Sequence, residues 1–193
     1  QDSLYNPFSK KATLYVTFES EYVTQLNCEN KSVWLYLYLD GKSSRLDNGS
    51  YIPQGKHVLE IFNYSGSNYI EGLSIRNVCK DSDIKAMIEK FSDVEVEIKN
   101  DSLYPWVAVG QDSLYNPFSK EATLYVTFES EYVTQLNYEN TNAYFYIDDV
   151  RISSPKGYYI ASGRHTMKIQ SYSKYYVEGL SIKNVCKDSD IKA

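Results

Sequence analysis

The sequence predicts an all-β protein made of two tandem units, and three observations carry that expectation. The segment Gln1–Asn30 returns as Gln111–Asn140, with only Lys11 against Glu121 and Cys28 against Tyr138 separating the copies; Tyr69–Ala86 returns in the same way as Tyr176–Ala193. The composition favours strands, with 20 tyrosines set among Val, Ile, Leu and Thr and almost no long Leu/Glu/Lys helical pattern. Apolar residues also recur with a period of two in segment after segment. The duplication places a first unit at 1–110 and a second at 111–193, each large enough for a modest core.

In chain order, TLYVTFE sets Leu14, Val16 and Phe18 against Tyr15 and Thr17, the alternation of a half-buried strand. LYLYLD repeats the pattern with Leu35, Leu37 and Leu39, whose counterparts Ala143, Phe145 and Ile147 stay apolar while changing size, as core positions do. Asp40-Gly41, Asp148-Asp149 and Asn48-Gly49 supply residues that tolerate positive φ and mark turns. HVLEI, HTMKI and GLSIRNV alternate again. One short helix is expected after an N-cap in Asp81-Ser82-Asp83, with Ile84, Met87, Ile88 and Phe91 on one face. DVEVEIK then reads as a strand, and Pro105 confines NDSLYPWVAVG to an edge or linker. This helix and linking strand, about 81–110, are assigned to the first unit.

Between the shared blocks the middle segments, 31–68 and 141–175, have drifted. Aligned at a constant offset, they keep Tyr36/Tyr144, Tyr38/Tyr146, Asp40/Asp148, Gly49/Gly157, Gly55/Gly163 and His57/His165. The net charge of −5 and the lack of a basic run argue against a nucleic-acid surface, and no apolar run reaches the length of a membrane span. The chain opens on Gln without a signal-peptide pattern. It stops at Ala193, where the first unit continues into MIEKFSDVEVEIK, as expected of a piece cut from a longer array with its second unit truncated.

The pieces YLDG (Tyr38–Gly41) and QGKHVLEI (Gln54–Ile61), with YIDD (Tyr146–Asp149) and SGRHTMKI (Ser162–Ile169) in the copy, resemble the PEGA domain, a small immunoglobulin-like β-sandwich common on bacterial envelope proteins. The resemblance covers Ala12–Val78 and Ala122–Val185. The proline-rich stretch of that family is reduced to Pro53 and is absent from the copy, and the helix and DVEVEIK are additions. The resemblance implies two tandem β-sandwiches that act as structural or binding modules, with no active site to transfer.

The candidate chemistry is sparse. Cys28 and Cys79 are a candidate disulfide, closing a loop of about 50 residues worth on the order of 4 kcal/mol. Loss of Cys28 to Tyr138 in the copy strands Cys186 and equally suits three free thiols acting as small hydrophobes. His57 and His165 suit either a pH sensor or a strand-opening contact to a backbone carbonyl. Asp81, Asp83, Asp188 and Asp190 fit helix capping better than calcium, whose remaining ligands are missing. Sequons stand at Asn30, Asn48, Asn63 and Asn100. Tyr36, Tyr38, Tyr144 and Tyr146 form a candidate binding face, or else cap the core beneath a loop or helix.

These features lead to an expectation of no catalysis and no cofactor or metal. The expected protein is a tyrosine-rich structural repeat of an extracellular or cell-surface fibre or adhesin, partnered by neighbouring repeats or copies of itself. If each unit needs a strand like DVEVEIK, the second unit is expected to expose an edge that another chain fills, giving a head-to-tail filament. The alternative is a module binding a glycan or a host or surface protein through the exposed tyrosines.

Overall fold

The computed structural model describes residues 3–191, which form antiparallel sheets and two short helices: the chain is all-β. The first repeat supplies β1 (Ser3–Asn6), β2 (Ala12–Ser20), β3 (Val23–Asn27), β4 (Asn30–Lys31), β5 (Leu35–Leu39), β6 (Arg45–Leu46), β7 (Tyr51–Ile52), β8 (Gly55–Asn63), β9 (Asn68–Glu71) and β10 (Ser74–Cys79). Helix α1 (Asp81–Lys90), β11 (Val96–Asn100) and β12 (Val107–Val109) follow. The second repeat adds β13 (Ser113–Tyr115), β14 (Ala122–Ser130), β15 (Tyr132–Asn137), β16 (Asn140–Thr141), β17 (Tyr144–Ile147), β18 (Val150–Ile152), β19 (Tyr158–Ile160), β20 (Gly163–Ser171), β21 (Tyr176–Glu178), β22 (Ser181–Lys187) and α2 (Asp188–Ile191).

Two compact units result, one reaching Val78 and the other starting at Cys79. In the first, sheets β2-β8-β5-β6, β10-β3-β7 and β1-β9-β4 gather around Leu26, Leu37, Leu39, Ile52, Leu59 and Ile70. The period-two reading of LYLYL holds, since Leu35, Leu37 and Leu39 are buried while Tyr36 and Tyr38 are half-buried. The second unit repeats each of these sheets and enlarges two of them, to β11-β14-β20-β17-β18 and β12-β13-β21-β16.

That enlargement moves the expected boundary at residue 110. Helix α1 packs on β11 and β12, β11 pairs with β14, and β12 pairs with β13. The segment assigned to the end of the first unit therefore belongs to the second. Pairing decides this: the alternation of Val94, Val96 and Ile98 specifies a strand without naming its partner. The open edge moves too. The second unit has its added strand, whereas β2 and β1 of the first end their sheets among the described residues. The expected truncation at Ala193 lies outside the described residues.

Two local expectations are adjusted. The N-cap of α1 is Lys80, and Asp83 reaches back so that its carboxylate accepts the Lys80 amide N–H at 2.9 Å. Asp190 accepts the Lys187 amide in the same way at 3.0 Å. The middle segments are also not aligned at a constant offset. Leu37 pairs with Leu46 but Phe145 with Ile152, so the second repeat has a hairpin turn shorter by two residues and a following loop longer by two. Arg45 and Arg151 thus become structural equivalents.

Candidate functional site

Beyond the shared core, the two units differ most in what residues 92–109 do. The amide of Asp93 donates to the Ile182 carbonyl at 2.9 Å, and its carboxylate accepts the Asn184 amide at 2.9 Å, closing the edge of β22. β11 then runs along β14 from Val96 opposite Phe128 to Asn100 opposite Leu124. Its outer edge is blunted by helix side chains: Lys85 Nζ donates to the Val96 carbonyl and Glu89 accepts the Val96 amide. At the end of β11 the Asn100 side chain acts as a strand mimic. Its Nδ2 donates to the Trp106 carbonyl at 2.9 Å and its Oδ1 accepts the Trp106 amide at 3.0 Å. Trp106 and Val107 are thereby held fully buried, and Tyr104 lies 5.7 Å from the ring of Phe118.

The first unit keeps the receiving surface without this cover. Leu14 is 47% exposed where Leu124 is 0%, Leu4 is 45% exposed where Leu114 is 1%, and Phe8 is 70% exposed. Between the free edges of β1 and β2 opens an apolar cleft of about 200 Å³, lined by Leu4, Asn6, Ala12, Leu14, Ile61 and Ile70 among others. Sequence reasoning singled out neither this cleft nor Trp106. The signal it had was the strand alternation of DVEVEIK beside an unassigned Trp.

The four candidate tyrosines do not form an open platform. Tyr36, Tyr38, Tyr144 and Tyr146 are half-buried. The Arg45 guanidinium lies 3.9 Å from the Tyr36 ring centre, Arg151 lies 4.6 Å from Tyr144, and Lys168 Nζ lies 4.1 Å from Tyr146. Tyr144 also meets Tyr172 edge-on at 5.5 Å. Cation–π contacts therefore occupy faces on which a sugar would stack. The arginine cover was hidden from sequence alignment by the compensating two-residue shifts. A more open aromatic pair, Trp34 and Tyr64 at 6.3 Å, exists in the first unit and was not singled out from sequence.

Each repeat carries the same Asp–His arrangement. His57 Nδ1 lies 2.8 Å from Asp40 Oδ2 and its Nε2 lies 2.8 Å from the Pro53 carbonyl; for His165 the distances are 2.6 Å to Asp148 and 2.9 Å to the Ala161 carbonyl. Both partners are acceptors when the carboxylate is ionised, so only the doubly protonated ring donates to both. The second carboxylate oxygen accepts a strand amide, from Val58 at 2.8 Å or Thr166 at 3.0 Å. Burial opposes ionisation of Asp40, but the Val58 amide and His57 outweigh it and hold the carboxyl below its ordinary value. For Asp148 the Thr166 amide leads, outweighing burial, with His165 adding to it. Asp40 and Asp148 take positive φ at the turn, 52° and 47°, which Asp tolerates better than most residues. The expected carbonyl contact of the histidines is present, and the whole unit ties a turn to a strand.

The cysteines follow one of the two readings the sequence leaves open: Cys28, Cys79 and Cys186 are all free, with no bridge between Cys28 and Cys79. Cys28 sits in the first core as a small apolar side chain. Cys79 accepts the Ala108 amide at 3.2 Å, and burial, outweighing that amide, pushes its thiol up to about 11. The sequon asparagines already serve the fold: Asn63 is buried with its amide donating to the Lys10 and Gly66 carbonyls, Asn100 braces Trp106, Asn48 Oδ1 accepts the Cys28 amide at 2.8 Å, and Asn30 donates to the Tyr69 hydroxyl at 3.2 Å. Among the described residues no three His, Cys, Asp or Glu side chains group to hold a metal, and no helix is long and apolar enough to cross a membrane.

No family model matches the chain, and neither a curated protein nor a solved structure is significantly similar to it.

Proposed function

We propose that the chain is a non-catalytic structural piece of a tandem-repeat protein of the extracellular surface, of the fibre or adhesin kind, whose partners are its own neighbouring repeats. One observation carries this reading. The connector between the two repeats gives β11, β12 and the buried Trp106 to the repeat that follows it. A unit finished by residues ahead of it suits repeats strung along one chain, each touching chiefly its neighbours. In this reading the units are PEGA-like or immunoglobulin-like β-sandwiches.

The glycan-binding reading has less support, because Arg45, Arg151 and Lys168 lie over the tyrosine faces it needs. The histidines, with both ring nitrogens engaged, suit tethering better than proton transfer. Small-angle scattering on chains lengthened by one and two further copies of residues 79–193 tests the structural reading. The longest dimension is expected to grow by a constant step. A dimension that stalls overturns the array, and retention on a glycan array that Tyr144→Ala abolishes overturns the structural role.

A further inference from the structure

The first unit carries a receiving surface whose occupant can be read from the second. β2 and β14 have the same nine residues, ATLYVTFES. On β14 these residues pair with β20 on one side and β11 on the other; on β2, among the described residues, only the β8 side is taken. β13 lies between β21 and β12, while its counterpart β1 has only β9 among the described residues. Among the described residues the unpaired edges of β1 and β2 flank the apolar cleft, whose Leu4, Ala12 and Leu14 are exposed where Leu114, Ala122 and Leu124 are buried in the second unit.

We propose that this cleft and its two flanking edges are a docking site for a polypeptide segment of the Asp93–Val109 kind, supplied by another repeat. The segment adds its alternating V-x-V-x-I strand to β2, places a Pro-Trp-Val anchor in the cleft, and lays a short strand on β1. This inference rests on the tandem-repeat reading above.

Several features of the first unit match that ligand. Leu4, Phe8 and Leu14 are exposed where Leu114 and Leu124 are buried and Phe118 is half-buried. Lys56 stands where Arg164 meets Glu97 at 3.4 Å, so a cation is kept for the acidic face of the incoming strand. Asn77 accepts from Ser20 Oγ as Asn184 does from Ser130, keeping the strand end that Asp93 caps in the second unit. Strand addition of this kind takes affinity from main-chain hydrogen bonds and specificity from side-chain pockets.

A second copy of this chain is a poorer donor. Its own Trp106 is fully buried, and lending the segment would open the same cleft in its second unit. The exchange would create no net contact, so the occupant is a connector not already docked.

The test extends the full chain at Gln1 with its own residues 81–110, recreating the Gly110–Gln111 junction, since Gln1 repeats Gln111. Hydrogen exchange at the β2 amides is expected to slow by at least about tenfold, towards that of β14. The same extension with its tryptophan changed to alanine and the valines of its strand changed to serine should leave β2 unprotected. Leu14→Arg, at an exposed position, should abolish protection in the extended chain and leave exchange of β14 unchanged. Equal β2 exchange with and without the extension overturns the proposal. So does concentration-dependent protection of β2 in the unextended chain, which would assign the edges to a second copy. Scattering that fails to grow with repeat number, with β2 still protected, would sink the array reading and leave the docking site standing.

Discussion

The same sequence, ATLYVTFES, lies in two places and has two fates. In β14 its Ala, Leu, Val and Phe are all buried; in β2 the Ala and Leu are exposed and the Val and Phe only half-buried. Both copies are strands, and both pair along their full length with the equivalent later strand of their own repeat, β8 or β20. What differs is whether anything arrives on the other edge. Local sequence and period-two patterning therefore suffice to make the strand, while its core contribution is set by a partner distant in sequence.

The largest expected break in this comparison comes from removing the anchor. Trp106→Ala should cost the second unit about 3–5 kcal/mol in urea unfolding, as for other buried aromatic truncations. Trp34→Ala, at an exposed position of the first, should stay within about 0.5 kcal/mol. Next comes the matched pair within the repeated strand. Leu124→Ala should cost about 2–5 kcal/mol, whereas Leu14→Ala should cost under about 1 kcal/mol. Equal losses would erase the distinction between the two edges.

Asn100→Ala should follow, at about 1–3 kcal/mol, because it strips the amide and carbonyl of the buried Trp106 of their partner. Its signature is faster hydrogen exchange at the Trp106 amide. The smallest effect should be alike in the two units and so localises the difference to their edges. The lowered carboxyl values of Asp40 and Asp148 mean that their stabilisation is complete above the ordinary Asp value of about 3.9. It is then lost as pH falls through the lower native values. Acid titration of Asp40→Asn and Asp148→Asn should show the same flattening of stability in that range, each by under about 1 kcal/mol.

Much of the internal layout of each repeat was legible because it depends on short-range rules. The inward Leu35, Leu37 and Leu39, the positive-φ Asp at the turns and the helix face of Ile84 and Ile88 all follow from spacing and residue type. The destination of β11 was not legible, since pairing is non-local and alternation fits any free edge. Trp106 gave little sign of its role, because nothing local indicates that Asn100 will brace it from six residues away. The equivalence of Arg45 and Arg151 was masked by two length changes that cancel. Cys28 and Cys79 looked pairable because sequence separation carries no information about the core in which Cys28 is buried.

Because β11 and Trp106 precede the strands they complete, synthesis order matters. The ribosome releases the finishing piece before the body that will hold it, and each domain generally folds as it emerges. A nascent repeat therefore meets its missing edge already waiting upstream and never has to idle for material still to be translated.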